Sequence, residues 1–193
     1  MVIMLPNSGY IVKGLHKTNN KKIGLMMNPR RWWKPFCKYA LDNDCFNRFD
    51  EVQYLKVLDK TKEIHPPIFI TVPDVVGCHD RTLALWRWYY PILKEYGYQL
   101  AFVAQDGCKP ELVPKEADWI FIGGKDPWKF DNAHKFIGEK PVHVGRVNGI
   151  KRLEYCEKIG VASIDGTGWM RGRDKKFYDL IEYIKGVKQC SMF

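Results

Sequence analysis

The chain has 193 residues, of which 46% are hydrophobic and 27% charged, and its formal net charge is +9. That length can bury a sizeable single core, and the balance excludes a disordered or fibrous chain. No apolar stretch approaches the ~20 residues of a membrane span, and the basic excess favours a polyanionic partner, nucleic acid first, through long-range attraction and counterion release.

From the start of the chain, Met1 to Leu5 is too short an apolar run for a signal peptide, and Pro6 ends it. A cytoplasmic location with reduced thiols is therefore expected. A weak strand is expected over Tyr10–Leu15, an exposed basic turn over Lys17–Lys22, and a strand over Ile23–Met27. The next strand covers Tyr39–Asp42. A helix follows over Asn47–Lys62, with Asn47 as N-cap and Phe49, Val52 and Leu55 on its inner face. Beyond the Ile68–Val72 strand, Arg81–Tyr96 places Leu83, Trp86, Tyr90 and Leu93 at helical spacing. The Leu100–Ala104 strand runs into Pro110 and Pro114, so its crossover should be a loop or one turn. Strands over Trp119–Ile122, Val142–Gly145 and Ala162–Asp165 complete the set, with helices over Ile150–Lys158 and Lys175–Lys185.

Strands alternating with amphipathic helices imply a parallel sheet with crossover helices, and eight strands close a (β/α)8 TIM-like barrel as a single domain over residues 1–193. Such barrels usually need ~250 residues, so some helices must be reduced or missing. An open doubly wound sheet is the competing architecture. None of the six cysteines forms a C-x-x-C or C-x-C pair, so no metal site is expected.

In either fold, functional groups collect where parallel strands end. Successive strand ends here carry Asp42, Asp74, Gln105-Asp106, Gly123-Gly124, Gly145-Arg146 and Asp165-Gly166. One such carboxylate is commonly a cap or turn residue: Asp74 can cap the helix after it, Asp165-Gly166 can be a strand-to-turn signal, and Gln105-Asp106-Gly107 can be only a turn. Several on one rim suit a purine. Guanine shows two donors on its N1/N2 edge and an acceptor at O6. A carboxylate such as Asp74 complements the donors; the Gln105 amide and a backbone N–H at Gly124 complement O6. A further carboxylate can attack the anomeric carbon as the base departs, as in retaining glycoside chemistry. Asp44 and Asp106 read as loop residues, and the scattered histidines, His143 among them, as surface or packing residues, with His79 near enough to Asp74 to reach the rim.

The segments Ala40-Leu-Asp-Asn-Asp-Cys-Phe46, Val72-Pro-Asp-Val-Val-Gly77, Ala101-Phe-Val-Ala-Gln-Asp-Gly107, Ile120-Phe-Ile-Gly-Gly124, His143-Val-Gly-Arg-Val147 and Ser163-Ile-Asp-Gly-Thr167 resemble, in order, the strand-end motifs of the tRNA-guanine transglycosylase superfamily. The chain is most similar to its short phage and bacterial members, which insert 7-deazaguanine bases into DNA. The resemblance implies a pentosyltransferase that replaces guanine in DNA by a 7-deazaguanine (preQ0-like) base through a covalent aspartyl-glycosyl intermediate, with no cofactor. It makes Asp165 the nucleophile and Asp42 the general acid/base, with Asp42 as the rival nucleophile. It gives base recognition to Asp74, Gln105, Gly123 and Gly124; Arg146 is expected to position a phosphate or a loop. The clustered Cys and His of the tRNA enzymes do not follow Asp165, since only Cys190 does, which favours DNA over tRNA. An RNA-acting relative, a glycosidase that releases a base without replacing it and a non-catalytic nucleic-acid-binding barrel are the alternatives.

Two basic segments are candidate polymer contacts. In Asn28-Pro-Arg-Arg-Trp-Trp-Lys-Pro35, the charges of Arg30, Arg31 and Lys34 can neutralise phosphates while Trp32 or Trp33 stacks on a base, or the Trp pair can simply cover the barrel mouth. After the proposed nucleophile, Arg171 and Arg173 can hold the flanking phosphates.

Overall fold

The computed structural model describes residues 1–7, 9–19, 21–171 and 175–186. Eight strands, β1 (Val2–Pro6), β2 (Ile23–Met27), β3 (Tyr39–Leu41), β4 (Ile70–Thr71), β5 (Leu100–Ala104), β6 (Trp119–Ile122), β7 (Val142–Val144) and β8 (Ser163–Asp165), pair in parallel with their sequence neighbours. The sheet closes through β8 on β1, with Met4 opposite Asp165. Closure rules out the open doubly wound sheet and establishes the (β/α)8 barrel.

Among the described residues, six α-helices cover the outside: α1 (Tyr10–Thr18), α2 (Glu51–Thr61), α3 (His79–Lys94), α4 (Asp126–Asn132), α5 (Ile150–Lys158) and α6 (Lys175–Lys185). Two crossovers have no α-helix. Single 3-10 turns at Pro29–Arg31 and Pro110–Leu112 connect β2 to β3 and β5 to β6. Proline starts each turn, where its missing N–H costs nothing.

Three sequence expectations are corrected. The first strand is Val2–Pro6, the run dismissed as too short for a leader, and Tyr10–Thr18 is helical, with Val12 and Leu15 buried. Val12 and Leu15 sit three apart, which is a helical spacing and not the alternation of a strand. The second helix is capped by Asp50, whose side chain accepts from the Gln53 amide, and not by Asn47, whose side chain instead donates to Asp44. Its buried stripe is Tyr54, Val57, Leu58 and Thr61, an i, i+3, i+4, i+7 set, while Val52 is 78% exposed.

The strand period of two divides the wall into two faces. Outward positions such as Ile3, Leu5, Leu25, Leu41, Ile70, Phe102, Ile122 and Val144 join the helices in the main core. Inward positions Met4, Ala40, Phe69 and Ala101, backed by Trp119 and Phe121, plug the barrel. Gly24 faces this plug: a Cβ there would lie 2.6 Å from the Met4 sulfur. Continuing the inward phase from Ala40, Val103, Phe121, His143 and Ser163 leads to Asp42, Gln105, Gly123, Gly145 and Asp165, so the plug turns polar at the C-terminal rim.

Candidate active site

The polar rim encloses a cavity of about 300 Å³, whose lining includes Asp42, Asp74, Gln105, Gly123, Arg146 and Asp165. Six successive strand ends, β3 to β8, bring these six residues to one place. Asp42 follows β3, where its amide extends the ladder to the Met27 carbonyl at 2.9 Å and its carboxylate accepts from the Asn43 amide. Burial raises its pKa to about 8, helped by the charges of Asp165, Asp74 and Asp44. Its carboxyl group is accordingly protonated at neutral pH.

Asp74 accepts from the Asn43 side-chain amide at 2.8 Å and from that of Gln105 at 2.6 Å. Burial raises its pKa to about 6, with hydrogen bonds from Asn43, Gln105 and Cys45 pulling the other way. The carboxylate lines the cavity and keeps acceptor capacity for a further donor. Gln105 is aimed at both ends: its oxygen accepts from the backbone amides of Gly77 and Gly124, each at 2.8 Å. The Gly124 N–H expected to meet a base is thus taken up by Gln105. Gly123 donates to the Ala104 carbonyl, and a Cβ on it would lie 2.6 Å from the Gln105 amide nitrogen. Gly124 has φ +65°, and a Cβ on it would strike the Trp128 ring at 2.6 Å. Both glycines therefore shape the wall by letting side chains close in.

Asp165 ends β8. Its Oδ1 accepts from the Arg146 backbone amide at 3.1 Å and lies 3.1 Å from the His143 Nε2. Among the described residues, no hydrogen bond reaches its Oδ2. The Arg146 amide is aimed there by a left-handed backbone, φ 56°, uncommon for a residue with a side chain. The Arg146 guanidinium bonds the Gly124 carbonyl at 2.9 Å and lies 4.5 Å over the exposed Phe46 ring. It therefore straps the β6 and β7 ends together at the cavity mouth.

Sequence reasoning missed several lining groups. Asp44 lies in the loop after β3 as expected, but it is buried, lines the cavity and pairs with Arg30 at 2.6 Å. Asn43 links the Val72 carbonyl to Asp74. The buried Lys129 bonds the Gly145 carbonyl at 2.7 Å and Asp126 at 3.3 Å, and its pKa is lowered first by burial and then by Arg146. His143 was legible only through its inward phase on β7. His79 does not line the cavity; it packs against Phe102, and its Nδ1 is buried without a partner among the described residues.

The polymer-contact candidates separate. Arg30 is engaged by Asp44 and by the Arg48 carbonyl. Arg31, Trp32 and Trp33 line a second hollow, which shares Met26 and Asn28 with the first. Trp32 packs edge-on against Tyr39, Trp33 is 59% exposed, and Lys34 is exposed beside it. Arg171 lines the main cavity and bonds Thr167. Arg173 lies outside the described residues. Among those residues, no group of three His, Cys, Asp or Glu is placed to hold a metal ion, and no helix is long and apolar enough to cross a membrane.

The molecule is thus a (β/α)8 barrel with an acidic, amide-braced cavity at its C-terminal rim. No family model matches the chain, and no curated protein matches it. Solved structures share the fold. A chain of the Amycolatopsis orientalis BexX/CysO complex is similar over 96% of this chain and 88% of its own, with a TM-score of 0.61 and 12% identity. The 3-hexulose-6-phosphate synthase of Salmonella typhimurium gives a TM-score of 0.55 at 11% identity, covering 96% and 98%. Another 3-hexulose-6-phosphate synthase gives 0.53 at 8%, covering 97% and 99%. These synthases are barrel enzymes and none of the three neighbours is named as a transglycosylase; at such identities the likeness is one of fold alone.

Proposed function

We propose that this protein is a guanine transglycosylase that replaces guanine in a nucleic acid, DNA before tRNA, by a 7-deazaguanine base. The observation that carries the reading is the convergence of Asp42, Asp74, Gln105 and Asp165, from four strand ends, on one cavity of about 300 Å³, near the lower limit of small-molecule pockets.

The target nucleotide leaves its stack to enter this hollow. Asp74, ionised above about pH 6, offers its remaining lone pairs to the N1–H and N2–H groups of guanine. Oδ2 of Asp165 attacks C1′ as the C1′–N9 bond breaks. The leaving base takes a proton from Asp42, the one carboxyl group that burial and like charges keep protonated at neutral pH. An incoming 7-deazaguanine then loses its N9 proton to Asp42 and attacks C1′, and the Asp165 ester bond breaks with its electron pair returning to the carboxylate. A carboxyl group kept protonated is an acid and a poor nucleophile, which favours Asp165 over Asp42 as the nucleophile. Arg31, Trp33 and Arg171 flank the cavity on the side where the polymer would lie.

The test is exchange of radiolabelled guanine into DNA and into tRNA, run separately, with a denaturing gel for the covalent adduct. Exchange with an adduct mapped to Asp165 is the expected result. An adduct at Asp42 would reverse the roles. Base release without incorporation would make the protein a glycosidase, and binding with neither would make it a non-catalytic barrel.

A further inference from the structure

Behind Asp165 lies a chain of buried groups that the reaction as written does not use. His143 is fully buried on β7, and Ser163 is buried on β8. The His143 Nδ1 is 2.8 Å from the Ser163 hydroxyl, and its Nε2 is 3.1 Å from Oδ1 of Asp165. The aromatic plug holds the imidazole in place: the Phe121 ring is 4.5 Å from it, centroid to centroid, and the Phe69 ring 5.3 Å. Hydrogen-bond logic fixes the tautomer. A carboxylate that serves as the nucleophile only accepts, so Nε2 carries the hydrogen, and Nδ1 accepts from the Ser163 O–H. The residue types are those of a hydrolytic triad, but the order is reversed. Here the hydroxyl is the buried end and the carboxylate faces the cavity, so the serine has no access to a substrate.

We infer that His143, oriented by Ser163, is a positioning residue that joins the Arg146 backbone amide in a two-donor site for Oδ1 of Asp165. The inference rests on the proposed covalent role of Asp165. With Oδ1 held by two donors, Oδ2 is the oxygen left to attack. When the glycosyl ester forms through Oδ2, Oδ1 becomes its carbonyl oxygen. When C1′ is released to the incoming base, the pair returning to the carboxylate is shared with Oδ1, where both donors meet the growing negative charge. The pair therefore acts most strongly on breakdown of the intermediate, in the manner of donors preorganised for developing charge. Gly145 permits the close approach: a Cβ there would lie 2.7 Å from Phe121 and 3.3 Å from Oδ1 of Asp165.

The test has two arms. Nitrogen-detected NMR of the imidazole in the substrate-free protein reads the tautomer whatever the activity. The Nε2–H form is expected, and an Nδ1–H form would overturn the inference. The kinetic arm compares His143→Leu with His143→Gln, whose amide can still donate to Asp165. His143→Leu should lower kcat ~100-fold with KM for the polymer nearly unchanged, and the denaturant-resistant adduct should persist longer than in the wild type. His143→Gln should recover at least about tenfold of that loss, while Ser163→Ala, which frees the ring to change tautomer, should cost less than His143→Leu. A His143→Leu protein that turns over at the wild-type rate, or one whose adduct forms slowly but decays normally, would overturn the inference. If the wild-type protein forms no adduct at all, the transglycosylase reading falls instead, and the NMR arm still reports on the buried chain.

Discussion

The two halves of the barrel interior are drawn from the same strands but follow opposite rules. In the lower half, Met4, Ala40, Phe69 and Ala101 fill space with apolar atoms and leave no polar group to satisfy. In the upper half, the inward positions that follow Ala40, Val103, Phe121, His143 and Ser163 are carboxylates, an amide and glycines, and two non-glycine residues there, Asp44 and Arg146, take left-handed backbone conformations. Burial stabilises the plug, while at the rim it works against Asp42 and Asp74, whose pKa values are pushed to about 8 and 6. A folded chain tolerates such a rim because the plug and the outer helix layer supply the stability, and sites with strained or repelling groups are where proteins commonly give up stability for function. The contrast predicts that rim substitutions change activity with little loss of stability and that plug substitutions do the reverse.

The largest expected effect is at Asp165. Asp165→Ala should lower guanine exchange at least ~10⁴-fold, the scale seen when a nucleophile is removed, and abolish the trapped adduct. Its thermal midpoint should equal or exceed that of the wild type, because one of the like charges facing Asp42 is gone; a clear fall in the midpoint would make Asp165 a structural residue. Phe69→Ala should do the opposite. It removes a fully buried ring at the centre of the plug and should cost about 3–5 kcal/mol in denaturant unfolding, with kcat per folded molecule within about tenfold of normal. A loss of activity without loss of stability would place Phe69 in the site, through its contact with His143.

Asp42→Asn sharpens the comparison through pH. The native pKa values of Asp42 and Asp74, about 8 and 6, lie above the ~4 of an unfolded chain. Between those limits the native state binds more protons than the unfolded one, so stability falls as pH rises. The contribution of these two groups is present in full below about pH 4; the part from Asp74 is lost by about pH 6 and that from Asp42 by about pH 8. Asp42→Asn should therefore be more stable than the wild type by up to about 5 kcal/mol at pH 8, with the difference vanishing near pH 4, as read by urea titrations across that range. The same values predict a bell-shaped rate, rising as Asp74 ionises near pH 6 and falling as Asp42 deprotonates near pH 8, with both limbs belonging to the coupled cluster. The smallest effect is at Arg146. Arg146→Gly keeps the amide and relieves the positive φ, so it should be more stable than Arg146→Ala by about 1 kcal/mol. Equal midpoints would show that the left-handed turn stores no strain.

Much of this architecture was legible from strand periodicity. Ile23–Met27, Leu100–Ala104 and Trp119–Ile122 have in the structure the bounds their apolar runs suggested. The strand ends led to Asp42, Asp74, Gln105 and Asp165 because a parallel barrel leaves its functional groups at one rim. The first strand was missed because Val2–Pro6 is uniformly apolar and ends in proline, which also describes the start of an unstructured leader. The second helix was started too early because Asn47 and Asp50 are both plausible caps, and only tertiary packing assigns Asn47 to Asp44. Lys129, and the partner that gives His143 its role, were out of reach for a different reason. A histidine in an apolar strand and a lysine in a helix gain their meaning from Asp165 and Gly145, 22 and 16 residues away, and local pattern carries no record of such partners.

The orientation of the Gln105 carboxamide has a further consequence. Its nitrogen end answers an anion and its oxygen end answers two peptide dipoles, so turning it over would set like against like at both ends. A glutamate there would repel Asp74, and a lysine would face the amides of Gly77 and Gly124. Polarity along that wall is therefore one-way before any ligand arrives, and the unused lone pairs of Asp74 give the hollow a face that only accepts. A heterocycle whose edge offers hydrogens is complementary to it. One that presents a bare ring nitrogen, as adenine does at N1, meets electrostatic repulsion there, so the selection of purines begins in the direction of a single amide.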